Sequence, residues 1–159
     1  MSRSALPKRL SRYFTLARLI HSDTARAGGI NNIPGLEVLP NLRRLARGLD
    51  EVRRLLGHPL DISSGYRSPR LNAAVGGAVN SQHTHGLAAD FTCPDFGTPL
   101  EVARAIRDSR IDFDQCILEF GEWVHLSFSP APRRRMLTIY AAQEGYLEGL
   151  LDEARRPVV

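Results

Sequence analysis

Lysine is almost missing from this sequence. Lys8 stands alone among 21 basic residues, and the other twenty are arginines. Cysteine is as scarce: Cys93 and Cys116 in 159 residues cannot staple a disulfide-dependent mini-protein. No stretch of about 18 consecutive apolar residues occurs, so no membrane-spanning helix and no membrane insertion are expected. The start of the chain is basic but lacks the 7–15-residue apolar core of a signal peptide, because Thr15 and Arg18 interrupt Tyr13 to Ile20. The expectation is synthesis in the cytoplasm, with both cysteines as buried thiols. Internal repeats and low-complexity tracts are absent too. What is present, 43% apolar and 24% charged residues of both signs, suits one folded domain and excludes a disordered chain.

The formal charge of +4 raises the question of an anionic partner. Arginine binds phosphate and carboxylate with a planar fork, so nucleic acid, an anionic envelope and an acidic substrate are all compatible with it. Neither zinc-finger spacing nor a basic–aromatic motif is present, and no nucleic-acid partner is expected. Most arginines are read as solvating helix faces.

Residues 1–14 read as a basic arm, expected to be flexible, followed by one domain over 15–150 and a tail over 151–159. The pattern predicts a helix over Thr15–Ala27, closed by Gly28-Gly29, then a long connection to Pro40. The clearest helix is Asn41–Leu56, with Asn41 as cap and Leu42, Leu45, Ala46, Leu49, Val52 and Leu56 on one stripe. Ser68-Pro69 opens a short helix, and Thr98-Pro99-Leu100-Glu101 is a capping box opening another through Ser109. Leu60–Ser63, Leu87–Thr92, Gln115–Phe120, Trp123–Phe128 and Arg135–Tyr140 read as strands, the last three as a meander. The fold class is α+β, an antiparallel sheet of about four to five strands packed by helices.

Three polar residues stand where apolar ones would be cheaper. His83 lies in Ser81-Gln-His83-Thr-His85-Gly86-Leu-Ala88-Ala-Asp90, and His125 lies within Trp123-Val-His125-Leu-Ser127. A histidine inside an apolar strand is costly unless it is hydrogen-bonded or metallated. His83, Asp90 and His125 together offer two imidazoles and a carboxylate, which with an open fourth position is a catalytic zinc arrangement. His83 and His85 as an alternating strand pair form a rival metal site, weakened by Gly86 directly after them. Strand alternation puts Trp123 and Ser127 on the His125 side, with Val124 and Leu126 opposite.

Ser81-x-His83-x-x-Gly86-x-Ala88-x-Asp90 followed by Trp123-x-His125 resembles the zinc D-alanyl-D-alanine carboxypeptidases, a family that includes peptidoglycan peptidases of bacteria and phage endolysins and shares its fold with the hedgehog signalling domain. Ser64-Gly65-Tyr66-Arg67-Ser68-Pro69 with Leu71-Asn72 and Gly76-Gly77 looks like its upstream signature, and Phe113-Asp114-Gln115 with Glu119 like its later one. The resemblance covers roughly Phe14 to Tyr140. It implies Zn2+ held by His83, Asp90 and His125, and a water made nucleophilic towards a peptide carbonyl. It also implies a carboxylate that carries the water's proton to the leaving amine.

Two glutamates could be that carboxylate. Branches of the family place the acid three or six residues before the last histidine, which selects Glu122 or Glu119 respectively. A three-residue loop over 120–122 would pair Glu119 with Trp123 and turn both towards His125, so Glu119 is favoured and Glu122 is the alternative. Arg67 is expected to hold a substrate carboxylate or the oxyanion, with Ser81 and Gln115 lining the substrate site. The expected substrate is the peptide stem of peptidoglycan, cut as a carboxypeptidase or as an endopeptidase. The expected place of action is the cell wall, after release or as part of a phage particle. A zinc-stabilised binding module without peptidase activity is the alternative.

Overall fold

The computed structural model describes residues 5–159. A long amphipathic helix decides the layout. It runs Leu39–Leu56 (α3), beginning two residues before the expected start, because Pro40 fits the first turn and Val38 serves as N-cap. Asn41 is thereby freed from capping, and its side-chain amide donates to the carbonyl of His85 at 2.9 Å. Gly57, at φ 71°, ends the helix in the left-handed C′ conformation. Arg43, Arg44, Arg47 and Arg54 lie exposed, as a solvated face requires.

The expected single helix over Thr15–Ala27 is two short ones, Leu16–Ile20 (α1) and Asp23–Ala27 (α2). His21 takes an extended conformation, and the Ser22 hydroxyl accepts the Ala25 N–H to cap the second. The break leaves the Leu19 carbonyl free to accept the Tyr66 N–H at 2.7 Å. The other two helices match the capping reading. They are Pro69–Ala74 (α4), capped by Ser68, and Pro99–Asp108 (α5), opened by the complete Thr98–Glu101 capping box.

The strands are Asp61–Ser64 (β1), Ala88–Thr92 (β2), Gln115–Glu119 (β3), Trp123–Ser127 (β4), Arg135–Ile139 (β5) and the two-residue Leu147–Glu148 (β6). They form one sheet in the order β1-β2-β4-β3-β5-β6, antiparallel except for β3 with β5. The architecture is α+β, with six strands rather than four or five. The expected closing meander is replaced by a crossing. The connector after β4 runs past the start of β3, and β5 pairs with β3 in parallel. Arg134 holds that crossing. Its backbone N–H donates to the Phe113 carbonyl, its guanidinium reaches the carbonyls of Arg107, Ile111 and Ser109, and it lies over the Phe113 ring.

One face of the sheet is covered. Leu42, Leu45, Leu49 and Val52 of α3 and Val102, Ala103 and Ile106 of α5 pack on Ala89, Phe91, Cys116, Leu118, Val124 and Leu126. Gly48 sits at the closest approach, where a Cβ would meet the Phe128 ring at 2.4 Å. Both cysteines are buried and unpaired, and burial pushes the Cys116 thiol up to about 12, far from a reactive thiolate. The opposite face, open in that neither α3 nor α5 covers it, carries a small apolar cluster of Ile117, Leu137 and Ile139.

The described part of the expected flexible arm, residues 5–14, is packed. Leu10 and Phe14 join the core, while Asp50, buried on α3, accepts the Ser11 hydroxyl and the Arg12 and Tyr13 N–H groups. The tail also folds back. Val158 donates its N–H to the Leu150 carbonyl and accepts from the Arg107 guanidinium at 2.7 Å.

Candidate metal centre

Strand pairing brings distant residues together on the open face. Asp90 on β2 lies directly opposite His125 on β4. His83 arrives from a tight turn, Gln82–His85, whose N-cap Ser81 accepts the His83 N–H and whose end is Gly86 at φ 72°. A Cβ at Gly86 would also strike Val38 and Leu42, so this turn rests directly on α3.

The donor atoms converge. His83 Nε2 is 3.2 Å from Asp90 Oδ1 and 3.2 Å from His125 Nδ1, and His125 Nδ1 is 2.9 Å from Asp90 Oδ1. Tetrahedral zinc with bonds of about 2.0–2.1 Å separates its ligand atoms by about 3.3 Å, so the triangle fits that ion with a slight opening. The tautomer of His83 is fixed by its other nitrogen. Nδ1 faces the Gly65 carbonyl at 2.7 Å, and a carbonyl only accepts, so Nε2 presents its lone pair to the cluster. Gly65 can come this close because it lacks a side chain: a Cβ there would stand 2.2 Å from the Leu19 carbonyl oxygen.

Electrostatics favour a cation at this point. All three side chains are buried. Burial pushes the His83 imidazole down, towards the neutral form a ligand needs, against the pull of Asp90. Burial alone would raise the Asp90 carboxyl, yet the imidazoles of His125 and His83 packed against it hold it well below the usual carboxylate range. A buried carboxylate with two imidazole nitrogens aimed at one of its oxygens is a donor set for a borderline divalent metal.

The second oxygen of Asp90 belongs to Arg67. Its Nη2 donates to Asp90 Oδ2 at 3.3 Å, Nε donates to the Ser64 hydroxyl at 3.0 Å and Nη1 to Asn72 Oδ1 at 3.4 Å. The sequence reading gives Arg67 to the substrate. The structure pairs it with Asp90, one of the candidate metal ligands, and also leaves it on the wall of the groove.

That groove, about 580 Å³, runs along the open face from His83 and His125 past Ser81, Gln115, Ile117 and Glu119 to Arg133, Arg135, Leu137 and Tyr146. Glu119 pairs with Trp123 across the three-residue loop and is half-buried beside the cluster. Burial, then the negative charge of Asp90, pushes its carboxyl up. Glu122 is exposed at the hairpin tip and does not line the groove. His85 is exposed as well and contributes only its carbonyl, to Asn41.

Asp114 is the supporting residue to which the sequence assigns no role. Buried at the head of β3, it accepts from Gln82 Nε2 at 2.9 Å and from Nε and Nη2 of Arg133, each at 2.8 Å. It thus ties the His83 turn to the β4–β5 crossing, a link between segments that no local pattern could disclose. Arg133 holds its carboxyl below the usual range. A depressed carboxyl stabilises the fold above its unfolded value, about 3.9, and loses that contribution as pH falls through the folded one. Asp114→Asn is therefore expected to cost about 1–2 kcal/mol at neutral pH, kept modest by the half-exposed Arg133. The difference should narrow in acid, read by urea denaturation at both pH values.

Fold and cluster together define an α+β domain with a candidate mononuclear metal centre on the open face of its sheet. Residues 12–127 match the family described as Peptidase M15, a zinc D-Ala-D-Ala carboxypeptidase-like family, and the chain belongs to it. Comparison with curated proteins returned no match.

Proposed function

We propose that this chain is a zinc-dependent peptidase that hydrolyses peptide bonds in the stems of peptidoglycan. The observation that carries the reading is the position of Glu119, half-buried in the same groove as a buried His-Asp-His cluster. Membership of the M15 peptidases, which are typically zinc-dependent, supports it.

His83, Asp90 and His125 would hold the ion, which when bound supplies the Lewis acidity that makes water a nucleophile near neutral pH. Glu119 accepts the proton of the attacking water and returns it to the leaving amine. Its raised affinity for a proton suits a group that must both take and give one. Arg67 keeps Asp90 oriented, and Gly65 keeps His83 in the liganding tautomer. Ser81 shapes the His83 turn at the groove rim, and Gln115 lines the floor. The place of action is the cell wall, reached after release or as part of a phage particle.

The test is hydrolysis of purified muropeptides by the zinc-loaded protein, with and without chelator, read by mass spectrometry. Cleavage that chelator abolishes is expected, and the product masses identify the bond. Stoichiometric zinc with no cleavage of any stem would replace this reading with that of a zinc-stabilised binding module.

A further inference from the structure

The ladder register fixes what lies next to the metal centre. Ile117 of β3 stands opposite His125 on one side and Leu137 of β5 on the other, and Leu137 stands opposite Glu148 of β6. The groove therefore leaves the metal centre at right angles to the strands, over a floor of two nearly buried aliphatic side chains. One step along the same face of β5, Arg135 stands opposite Gln115. Two strand spacings of about 4.8 Å and two residue rises of about 3.4 Å put the Arg135 Cα about 12 Å from that of His125. An extended peptide covers this distance in three to four residues.

Arg135 differs from the other cations of the groove. Arg67 is held on Asp90, and Arg133 is held by three contacts to Asp114. Among the described residues, the Arg135 side chain pairs only with Glu148, through one nitrogen, with both side chains substantially exposed. Such a pair is weak and readily exchanged. Resting on the stem-peptidase reading above, we infer that Arg135 is a specificity-determining residue: it receives a free carboxylate of the substrate peptide, about three residues from the scissile bond, in exchange for Glu148. The groove thus selects acidic peptides. Its apolar floor accepts aliphatic side chains between the cut and the charge, and the Arg135 fork supplies the bidentate match for a carboxylate. Neither Arg135 nor Glu148 falls within the residues matched to the family.

The experiment uses two stem peptides that differ only in one group, D-glutamate with its free α-carboxylate or the same residue as its α-amide. Turnover is measured with the zinc-loaded protein, and binding is measured by calorimetry on its Glu119→Gln variant. The acidic peptide should be preferred about tenfold in both readouts, the range of a partly exposed charge-assisted hydrogen bond. Arg135→Gln should bring that ratio close to one, whereas Glu148→Gln should raise it about threefold. A purely structural role for Arg135 would lower both peptides alike and leave the ratio unchanged. A ratio near one in the parent protein, or one unmoved in Arg135→Gln, overturns the assignment and leaves the peptidase reading intact. Preferential binding of the acidic peptide without cleavage of either keeps the Arg135 assignment and removes the peptidase reading. Failure to bind or cut either peptide removes both.

Discussion

Replacing Glu119 with glutamine is expected to lower stem-peptide turnover by about 10²–10⁴-fold, the usual contribution of a positioned general base. Zinc should stay bound at one equivalent, because Glu119 is outside the cluster of His83, Asp90 and His125. Glutamine fills nearly the same volume and keeps a hydrogen-bonding tip, so the β3–β4 hairpin should survive. Glu119 is the only one of the two candidate glutamates in the groove, and Glu122 projects into solvent from the hairpin tip. Glu122→Gln should therefore keep near-parental turnover. The opposite pattern, an inactive Glu122→Gln and an active Glu119→Gln, would transfer the proton-carrying role to Glu122. Metal analysis beside the kinetics separates loss of a base from loss of the ion.

His125→Ala should have the other large effect, on the metal and on stability together. A ligand bound only by the folded state contributes RT ln(1 + [L]/Kd), about 4 kcal/mol at a thousandfold excess over Kd. For a chain of this length that corresponds to roughly 10 °C in the melting temperature. The zinc-loaded protein should lose this margin on chelation. The His125→Ala variant should melt at the same temperature with or without zinc, and retain less than one equivalent after desalting. A variant that keeps stoichiometric zinc would show that the ligand set is not His83, Asp90 and His125. The buried position of His125 adds a cavity penalty, which the comparison of each protein with and without metal cancels.

The sequence disclosed local signals and missed those made by crossing segments. Capping residues are read within four positions, so Ser68, Thr98 and Glu101 announced their helices. Period-two alternation in Trp123–Ser127, with a short loop before it, sufficed to set Glu119 against Trp123 and turn both towards His125. Asn41 was misread because it looks like a cap. Its role, bracing the His83 turn from 44 residues away, depends on where α3 docks. The family resemblance gives Arg67 a substrate role; its contact with Asp90, by contrast, depends on the β1–β2 pairing and is not legible in the local sequence. The parallel placement of β5 comes with Arg134 reaching three carbonyls around the α5–β3 connection, and nothing in the local pattern of residues 128–140 distinguishes a crossing from a meander.

The ends of the sheet also bear on how a peptide can be held. Many proteins recognise extended chains by letting them pair as an additional strand along a free edge. Here one edge, β6, is two residues long, and the other, β1, is four residues long and interrupted by a bulge between Ile62 and Ser64. Neither offers a run of backbone donors and acceptors long enough to capture a partner strand, which also guards against edge-to-edge association of copies. Recognition on this scaffold has to rest on side chains rather than on backbone pairing. Such a surface does not depend on the hydrogen-bond register of an L-peptide strand, and so does not demand L-stereochemistry or a regular α-linked backbone from what lies on it.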